Sequence, residues 1–280
     1  MSNIKQLDCR ELPTLALRGL VAFPSMLLTL DVGRKKSMAA LALAMDTDRY
    51  IFLVTQTDIT VEDPQKKDLY KIGCICKVRQ LLKTGDGCKA LVEGVKRAKL
   101  MSLKTDGAYL TGYIEECEET SLGNRKALKE SLLRNIRSSF AAYSEVAATV
   151  PKDVALTVAK CNEVPFLCDY IAFNIPAPFD DKQYVLEQLS ASKRAKILIE
   201  MLNKEAEICR IDNKIGEKTR RRLDDAQKDY YLKEQIKVIS EELYGDDSAE
   251  EIDRFHTAAE ALNVDAQIKE RLHTEINKLA

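Results

Sequence analysis

The sequence predicts an α+β protein in which a small, strongly curved β-sheet is followed by a helical bundle and one very long helix. Before about Thr120, short apolar runs alternate with turn residues, as in strands joined by tight loops. After it, apolar residues recur at helical spacing. Residues 192–244 contain no proline and a single glycine, Gly216, so one uninterrupted helix is predicted there.

The first part of the chain predicts a sheet that bends into an open barrel. Strands are predicted at residues 14–18, 27–32, 51–55, 69–82, 90–103 and 109–114. The fourth and fifth form a long hairpin around Gly85 and Gly87, and Gly94 predicts a bulge or bend in the returning strand. An Ala-, Leu- and Met-rich helix is predicted at residues 37–45, with Ser37 as its N-cap.

The second part predicts short helices and then a strut. A helix is predicted at residues 122–148, and shorter helices are predicted at 153–161, 165–173 and 180–189, with Pro165 in a first turn. The long helix would extend about 75 Å at about 1.5 Å per residue. Its two ends are apolar and its middle is polar, which is typical of a strut that leaves one body and docks on another.

The end of the chain predicts further helices. Gly245 and Asp246 predict the C-cap of the long helix, Ser248 opens a new helix, and another helix is predicted at residues 265–279. The helical pattern reaches Ala280 without a stop signal, so we expect more protein to follow. We also expect a protease-sensitive site at residues 245–248.

Composition excludes several classes of function. The chain has 43 basic and 44 acidic residues, a balance that gives no general attraction for nucleic acid or an anionic membrane. No run approaches the roughly 20 apolar residues of a membrane span, and the N-terminus lacks the features of a signal peptide. We therefore expect a cytoplasmic protein without a membrane partner.

Eight cysteines raise the question of metal or disulfide chemistry. Only Cys74 and Cys76 are close in sequence, and alternation places both on one face of a strand. A zinc site needs a second pair, and the only histidines, His256 and His273, are far from these two. The cysteines are therefore interpreted as reduced thiols that act as small apolar residues, and no metal ligand is predicted.

Three stretches together resemble the Lon protease family. They are LRGLVAFPSM (17–26) with VGRKKS (32–37), the hairpin end LVEGVKRA (91–98), and DYYLKEQIKVISEEL (229–243). The third is the most specific, because it is similar to the helix that precedes the ATPase module in this family. Ser25 departs from the family pattern, in which glycine is common after Phe-Pro.

The resemblance implies a PUA-like Lon N-domain at residues 1–118, a helical bundle at 119–191 and a strut at 192–245. Residues 246–280 would lead into an ATPase module. Neither a nucleotide-binding G-x-x-x-x-G-K-[ST] loop nor a recognisable serine nucleophile occurs in the chain. The parent protein would be an ATP-dependent serine endopeptidase that uses ATP and Mg²⁺. This part is expected to have no catalytic residue and no cofactor, to hydrolyse no ATP and to cleave no casein.

The resemblance also implies partners, namely unfolded or damaged polypeptides and, in a hexamer, further copies of the chain. An alternative is a free-standing substrate receptor or adaptor, but such a protein would be expected to stop before the strut helix. The candidate polypeptide contacts are Phe23, Pro24 and Met26, because a proline-containing loop can hold apolar side chains outward. The alternative for Phe23 and Met26 is that they fill the end of the barrel.

Tyr230 and Tyr231 are candidate contacts to a substrate or a neighbouring subunit. Adjacent helical residues point about 100° apart, so one is expected to pack and the other to be exposed. Packing within one chain is the alternative for the pair. A basic cluster in the strut could contact DNA, but pairing with nearby acidic residues explains it more simply as a solvated surface. Its members are Lys214, Lys218, Arg220, Arg221 and Arg222.

Overall fold

The chain folds as two compact units, Met1–Ile211 and Asp212–Ala280. The computed structural model describes residues 9–85, 87–105, 107–120, 122–123, 125–147, 150–244, 247–262 and 264–277. The first unit contains both the sheet and the helical bundle. The sequence predicts a domain boundary after residue 118. This boundary would divide the first unit, and it stays a prediction.

The first unit is built on a six-stranded mixed sheet that closes into a ring. Its strands are β1 (Cys9–Leu17), β2 (Leu27–Val32), β3 (Tyr50–Thr55), β4 (Ile72–Thr84), β5 (Gly87–Lys104) and β6 (Leu110–Glu116). The order is β2-β5-β4-β3-β1-β6, and β5 also pairs with β6. Only β1 and β3 are parallel. Because β5 reaches both β4 and β6, five strands form a closed pseudo-barrel, which confirms the predicted fold class.

A bulge in β5 makes this closure possible. Ile75 pairs with Lys96 and Cys76 pairs with Gly94, so Val95 is the extra residue. The bulge confirms the bend predicted at Gly94, and it turns an 18-residue strand so that its two halves meet different neighbours. A side chain at residue 94 would collide with the backbone of Phe23 and Pro24, so glycine is required by the close approach of that loop.

Both faces of the sheet are buried. On one face, helix α1 (Lys35–Asp46) covers Cys74, Cys76 and Val78 with its alanines and leucines. A second cluster on the other face contains Ile75 and Ile114. Apolar residues on both faces therefore hold the ring closed, at about 25 cal/mol for each Å² of apolar surface removed from water.

Helix α1 begins earlier than the sequence predicts. Its N-cap residue is Arg34, and Ser37 lies in the first turn with no capping hydrogen bond from a side chain. The assignment of Ser37 as the N-cap was therefore wrong. The Arg34 side chain bonds to three acceptors in neighbouring segments, and this anchoring fixes where the chain enters the helix.

The helical part of the first unit packs around its own core. It contains α2 (Lys126–Val146), α3 (Lys152–Lys160), α4 (Val164–Asn174), α5 (Phe179–Glu187) and the start of α6 (Ala191–Tyr244). Pro165 lies in the first turn of α4 as predicted. Helix α6 has 54 residues and confirms the predicted long helix. Among the described residues, none of the helices is long and apolar enough to cross a membrane.

The second unit consists of the rest of α6 from Asp212, with α7 (Asp247–Ala261) and α8 (Ala266–Ile276). Helices α7 and α8 bury Ala259 and Ile276. The His256 and His273 Nδ1 atoms lie 2.7 Å apart, and the rings are nearly parallel, 14° between planes. Gly245 and Asp246, which the sequence predicts to cap α6, lie outside the described residues, as do parts of the predicted cleavage site.

Candidate functional site

The loop between β1 and β2 is held firmly against the bulge of β5. The Ser25 N–H donates to the Gly94 carbonyl (2.8 Å), and the Gly94 N–H donates to the Met26 carbonyl (2.9 Å). Phe23 and Met26 are only 1% and 5% exposed, and both belong to the buried cluster formed by the bundle helices. The loop therefore joins the sheet to the bundle through two apolar side chains.

This burial corrects the basis on which the loop was chosen as a contact site. Phe23 and Met26 were candidate outward contacts, with core packing as the alternative, and in this fold neither presents its side chain to solvent. The alternative, that both are core residues, describes them better, although the core they fill is that of the helices and not the end of the barrel. Of the three predicted contact residues, only Pro24 remains partly exposed.

Two apolar side chains beside Pro24 are exposed, and the sequence analysis missed both. Leu27 is 57% exposed at the start of β2, and Val95, the bulge residue, is 46% exposed. Leu27 pairs with Glu93, two residues before Val95, and Pro24 approaches Gly94. We call Pro24, Leu27 and Val95 the loop patch. The outward position of Leu27 in the alternation of β2, where Leu30 and Val32 point inward, was the available signal.

A buried ion cluster ties the sheet to the helices. Arg97 from β5 and Arg194 from α6 are both fully buried. Arg97 donates to both carboxylate oxygens of Asp169 in α4, at 2.9 and 2.6 Å, and Arg194 lies 3.4 Å from each of the same oxygens. Glu119 accepts from Arg97 at 2.9 Å and from Arg194 at 2.8 Å. The two cations therefore face two carboxylates, and the charge is balanced inside the protein.

Backbone carbonyl oxygens accept the remaining hydrogen bonds of the cluster. Burial and the neighbouring charges shift the pKa values of its two carboxyl groups. Arg97 Nε donates to the Leu186 carbonyl, and Arg194 Nε donates to the Gln188 carbonyl. Burial raises the pKa of Asp169, and attraction to Arg97 and Arg194 offsets only part of the rise. Burial opposes the charged form of Glu119 as well, but there the two guanidinium groups prevail and lower the pKa. Each of the four charged groups is paired with an opposite charge inside the protein, so we interpret the cluster as structural.

The residues singled out in α6 are on the surface of the second unit. Tyr230 and Tyr231 are both exposed, so neither packs against the described part of this chain, and their contact to a substrate or a neighbouring subunit stays a prediction. The basic residues 214–222 are exposed too, and Arg221 lies 4.0 Å from Glu217 one turn away. This pairing fits the solvated-surface interpretation of the basic cluster.

The cysteines are free thiols, and five of the eight are buried. Burial raises the pKa of Cys168 to about 12 and also raises the pKa of Cys88 and of Cys117. Within the described part of the chain, no group of three or more His, Cys, Asp or Glu residues is placed to hold a metal ion.

Comparison with known proteins gives the family to which these features correspond. Residues 11–204 match the model of the ATP-dependent protease La (LON) substrate-binding domain. The chain is 35% identical over 272 residues to a Lon protease of Brevibacillus choshinensis, and 32% identical over 271 residues to one of Escherichia coli K12. Each alignment covers 96% of this chain but only 35% and 34% of the relative, so the chain spans about a third of their length.

A solved structure shares the fold. It is the N-terminal domain of a Mycobacterium avium complex Lon protease, with a TM-score of 0.55 and 19% sequence identity. The match covers 69% of this chain and 98% of that domain. At this level of identity the match supports the fold alone.

Proposed function

Because the chain belongs to the family of Lon protease substrate-binding domains, we propose that it captures unfolded polypeptides for an ATP-dependent protease. The observation that carries the proposal is the loop patch, an exposed apolar group on a backbone fixed by hydrogen bonds. Unfolded chains offer apolar segments without a fixed shape, and an exposed apolar surface is the feature that selects them. The buried side chains of Phe23 and Met26 hold the loop in place by packing in the core of the helices.

The patch is small, so one copy is expected to bind weakly. Three partly exposed side chains bury much less than the roughly 1,200 Å² of a specific stable interface. Several copies acting on one flexible chain raise the effective concentration and therefore the avidity. We propose that the whole protein supplies these copies by assembling as a hexamer, with Tyr230 and Tyr231 as contacts to a substrate or a neighbouring copy.

The remaining chemistry is assigned to the rest of the protein. We propose that ATP and Mg²⁺ act in an ATPase module outside this chain, that a separate protease domain cleaves the substrate, and that the protein works in the cytoplasm. Alignment to Lon proteases over 96% of this chain includes most of α6, α7 and α8. This extent favours the N-terminal region of a protease over a free-standing adaptor, which would not need the long helix.

Binding of an unfolded protein by the purified chain tests the proposal. The probe is fluorescein-labelled, reduced and carboxymethylated α-lactalbumin, with folded α-lactalbumin as the comparison, and anisotropy is measured at two salt concentrations. We expect selective binding of the unfolded probe with little dependence on salt, since apolar contacts are weakly screened.

Variants locate the contact. Leu27→Ser combined with Val95→Ser is expected to weaken binding about tenfold, because two exposed apolar contacts are lost. Leu82→Ser is the matched control, since Leu82 is equally exposed at the far end of β4. Equal binding by the double variant and the control would refute the loop patch, and absence of binding by the unaltered chain would shift the role of this region toward scaffolding.

A further inference from the structure

Two neighbouring cavities in the first unit share three of their lining residues. One has a volume of about 340 Å³ and the other about 350 Å³, and Arg18, Arg34 and Ser37 line both. They lie where β1 and β2 end and α1 begins, and Arg34 and Ser37 belong to the VGRKKS segment. The loop patch uses none of these residues.

The first cavity is cationic. Arg18, Arg34, Lys35 and Lys36 line it, against the two carboxylates of Glu62 and Asp63. Lys36 Nζ lies 3.2 Å from Asp63 Oδ1, so one cation is paired locally and the positive charge remains in excess.

The guanidinium groups keep donors that can serve a ligand. Arg34 donates from Nη1 to the Glu62 carbonyl and from Nη2 to the Ala16 carbonyl and to Gln56 Oε1. Arg18 donates from Nη2 to the Val61 carbonyl. A guanidinium has five N–H donors, so about two on Arg34 and four on Arg18 remain. The bonds that are made fix both groups beside the cavity.

Repulsion between these cations favours a bound anion. Burial and the charge of Arg18 both lower the pKa of Arg34, and Asp63 acts in the opposite direction. An anion between the two guanidinium groups would relieve the repulsion and replace the water that burial removes.

Ser37 supplies a hydroxyl at the same place. The residue is only 7% exposed, it lines both cavities, and among the described residues its hydroxyl has no hydrogen-bond partner. It lies in the first turn of the 12-residue helix α1, which has no capping bond from a side chain. Because the hydroxyl faces the two cavities and bonds to no described residue, it is free to donate a hydrogen bond to a ligand.

The second cavity has a largely apolar wall. Leu17, Leu20, Leu30 and Val32 line it together with the three shared polar residues. An apolar group and an anionic group would therefore be bound side by side, with Arg18 and Arg34 at the junction.

We propose that the paired cavities bind the C-terminal end of a polypeptide, with the terminal carboxylate between Arg18 and Arg34 and an apolar last side chain in the leucine-lined cavity. This inference rests on the proposed function and names a feature of the substrate. A planar carboxylate matches the two donors that a guanidinium presents, and Ser37 donates a further hydrogen bond. A bare phosphate would use the cationic cavity but leave the apolar one unused.

A pair of peptides that differ only at the terminus provides the test. The probe is a fluorescein-labelled, unstructured decapeptide that ends in leucine, with either a free carboxylate or a terminal amide. We expect the complete chain to bind the acid about tenfold more tightly than the amide, because charge-assisted hydrogen bonds are lost with the amide. A peptide that ends in aspartate is expected to bind more weakly than the leucine acid.

Variants assign the effect to the cavities. Lys35→Gln and Ser37→Ala are each expected to reduce the difference between acid and amide severalfold, since neither side chain forms a hydrogen bond to any residue that the structure describes. Arg34→Gln should abolish the difference, and its folding is checked by circular dichroism because Arg34 also bonds to backbone oxygens. Lys83→Gln, at the exposed end of β4, is the matched control and should change nothing.

The outcomes separate this inference from the proposed function. Equal binding of acid and amide would overturn the inference, and the proposed function would stand if the unfolded protein still bound through Leu27 and Val95. Binding of tripolyphosphate that is lost in Lys35→Gln, without any difference between the two peptides, would also overturn it and identify a phosphate site. Leu27→Ser with Val95→Ser is expected to weaken the acid and the amide equally.

Discussion

Replacement of Asp169 by asparagine tests whether the buried ion cluster holds the first unit together. The change keeps the size of the side chain and removes its charge. It leaves Arg97 and Arg194, both fully buried, with Glu119 as the one remaining carboxylate. Glu119 is also the more solvent-exposed of the two carboxylates, so it compensates less of the buried positive charge.

The magnitude follows from the burial of the unpaired cation. Removing one partner of a buried ion pair costs about 3–5 kcal/mol, because the remaining charge stays out of water without compensation. Asp169 accepts two short bonds from Arg97 and two longer ones from Arg194, which supports a value in that range. If the free energy of unfolding falls by about 3 kcal/mol for each molar increase in urea, the unfolding midpoint should fall by roughly 1 to 1.7 M.

Urea unfolding followed by near-ultraviolet circular dichroism measures this effect, because that signal reports the packing of aromatic side chains such as Tyr143. The control is Asp181→Asn, which makes the same chemical change on the surface, where Asp181 pairs with Lys204 at 2.8 Å. We expect the control to lose about 1 kcal/mol or less. Equal losses of stability in Asp169→Asn and Asp181→Asn would refute the idea that a buried, charged cluster holds the unit together. They would show that the cluster is hydrated or uncharged.

A double replacement separates loss of charge balance from loss of packing. Arg97→Met with Asp169→Leu removes both members of the strongest pair and leaves Arg194 with Glu119. Apolar side chains of similar volume need no partner, so part of the stability lost in Asp169→Asn should return. A double variant that is less stable than either single variant would contradict this expectation.

Three further predictions concern the loop and the thiols. Gly94→Ala places a Cβ 1.9 Å from the Phe23 carbonyl oxygen, so we expect a loss of about 3 kcal/mol in urea unfolding, against almost none for Gly33→Ala, which meets open space. Ser25 has a φ of 61°, so Ser25→Gly should raise the thermal midpoint with a gain of up to about 1 kcal/mol, and a lower midpoint would contradict the assigned backbone strain. Maleimide labelling followed by mass spectrometry should modify exposed Cys9 long before Cys168, whose burial denies access and raises its pKa to about 12.

The strands and helices could be predicted because their signals are local. Alternation identified β4 and β5, the glycine at residue 94 marked the bulge, and the absence of proline identified α6. The closure of the ring could be predicted only in part. It depends on the pairing of β5 with β6, and the sequence indicated curvature but not which strands meet.

The position of the loop side chains could not be derived from local pattern. Phe23 and Met26 are apolar residues in a proline-containing turn, and the same pattern suits an exposed contact or a core residue. Their burial depends on the helices that follow, which begin about a hundred residues later. The exposure of Leu27 could have been predicted, because its outward position in β2 follows from the alternation.

The ion cluster could not be predicted from local pattern either, although one of its residues, Asp169, carries a signal in the sequence. Arg97 and Asp169 are 72 residues apart, and nothing near Arg97 distinguishes it from its exposed neighbour Lys96. Asp169, however, is the only charged residue in the apolar helix α4. A lone carboxylate in such a helix is expensive to bury without a cation, so it predicts a distant arginine even though it cannot name which one.

The misassigned cap of α1 has a physical consequence for the proposed peptide site. Serine is among the best N-cap residues, so helix propensity alone favours a start at Ser37. Anchoring of Arg34 to three acceptors moves the N-cap three residues earlier, and the Ser37 side chain then enters the first turn instead of capping it. If Ser37 had capped the helix, its hydroxyl would be satisfied by a backbone N–H. Because it does not, the hydroxyl stays available beside Arg18 and Arg34, where the proposed terminal carboxylate would accept its hydrogen bond.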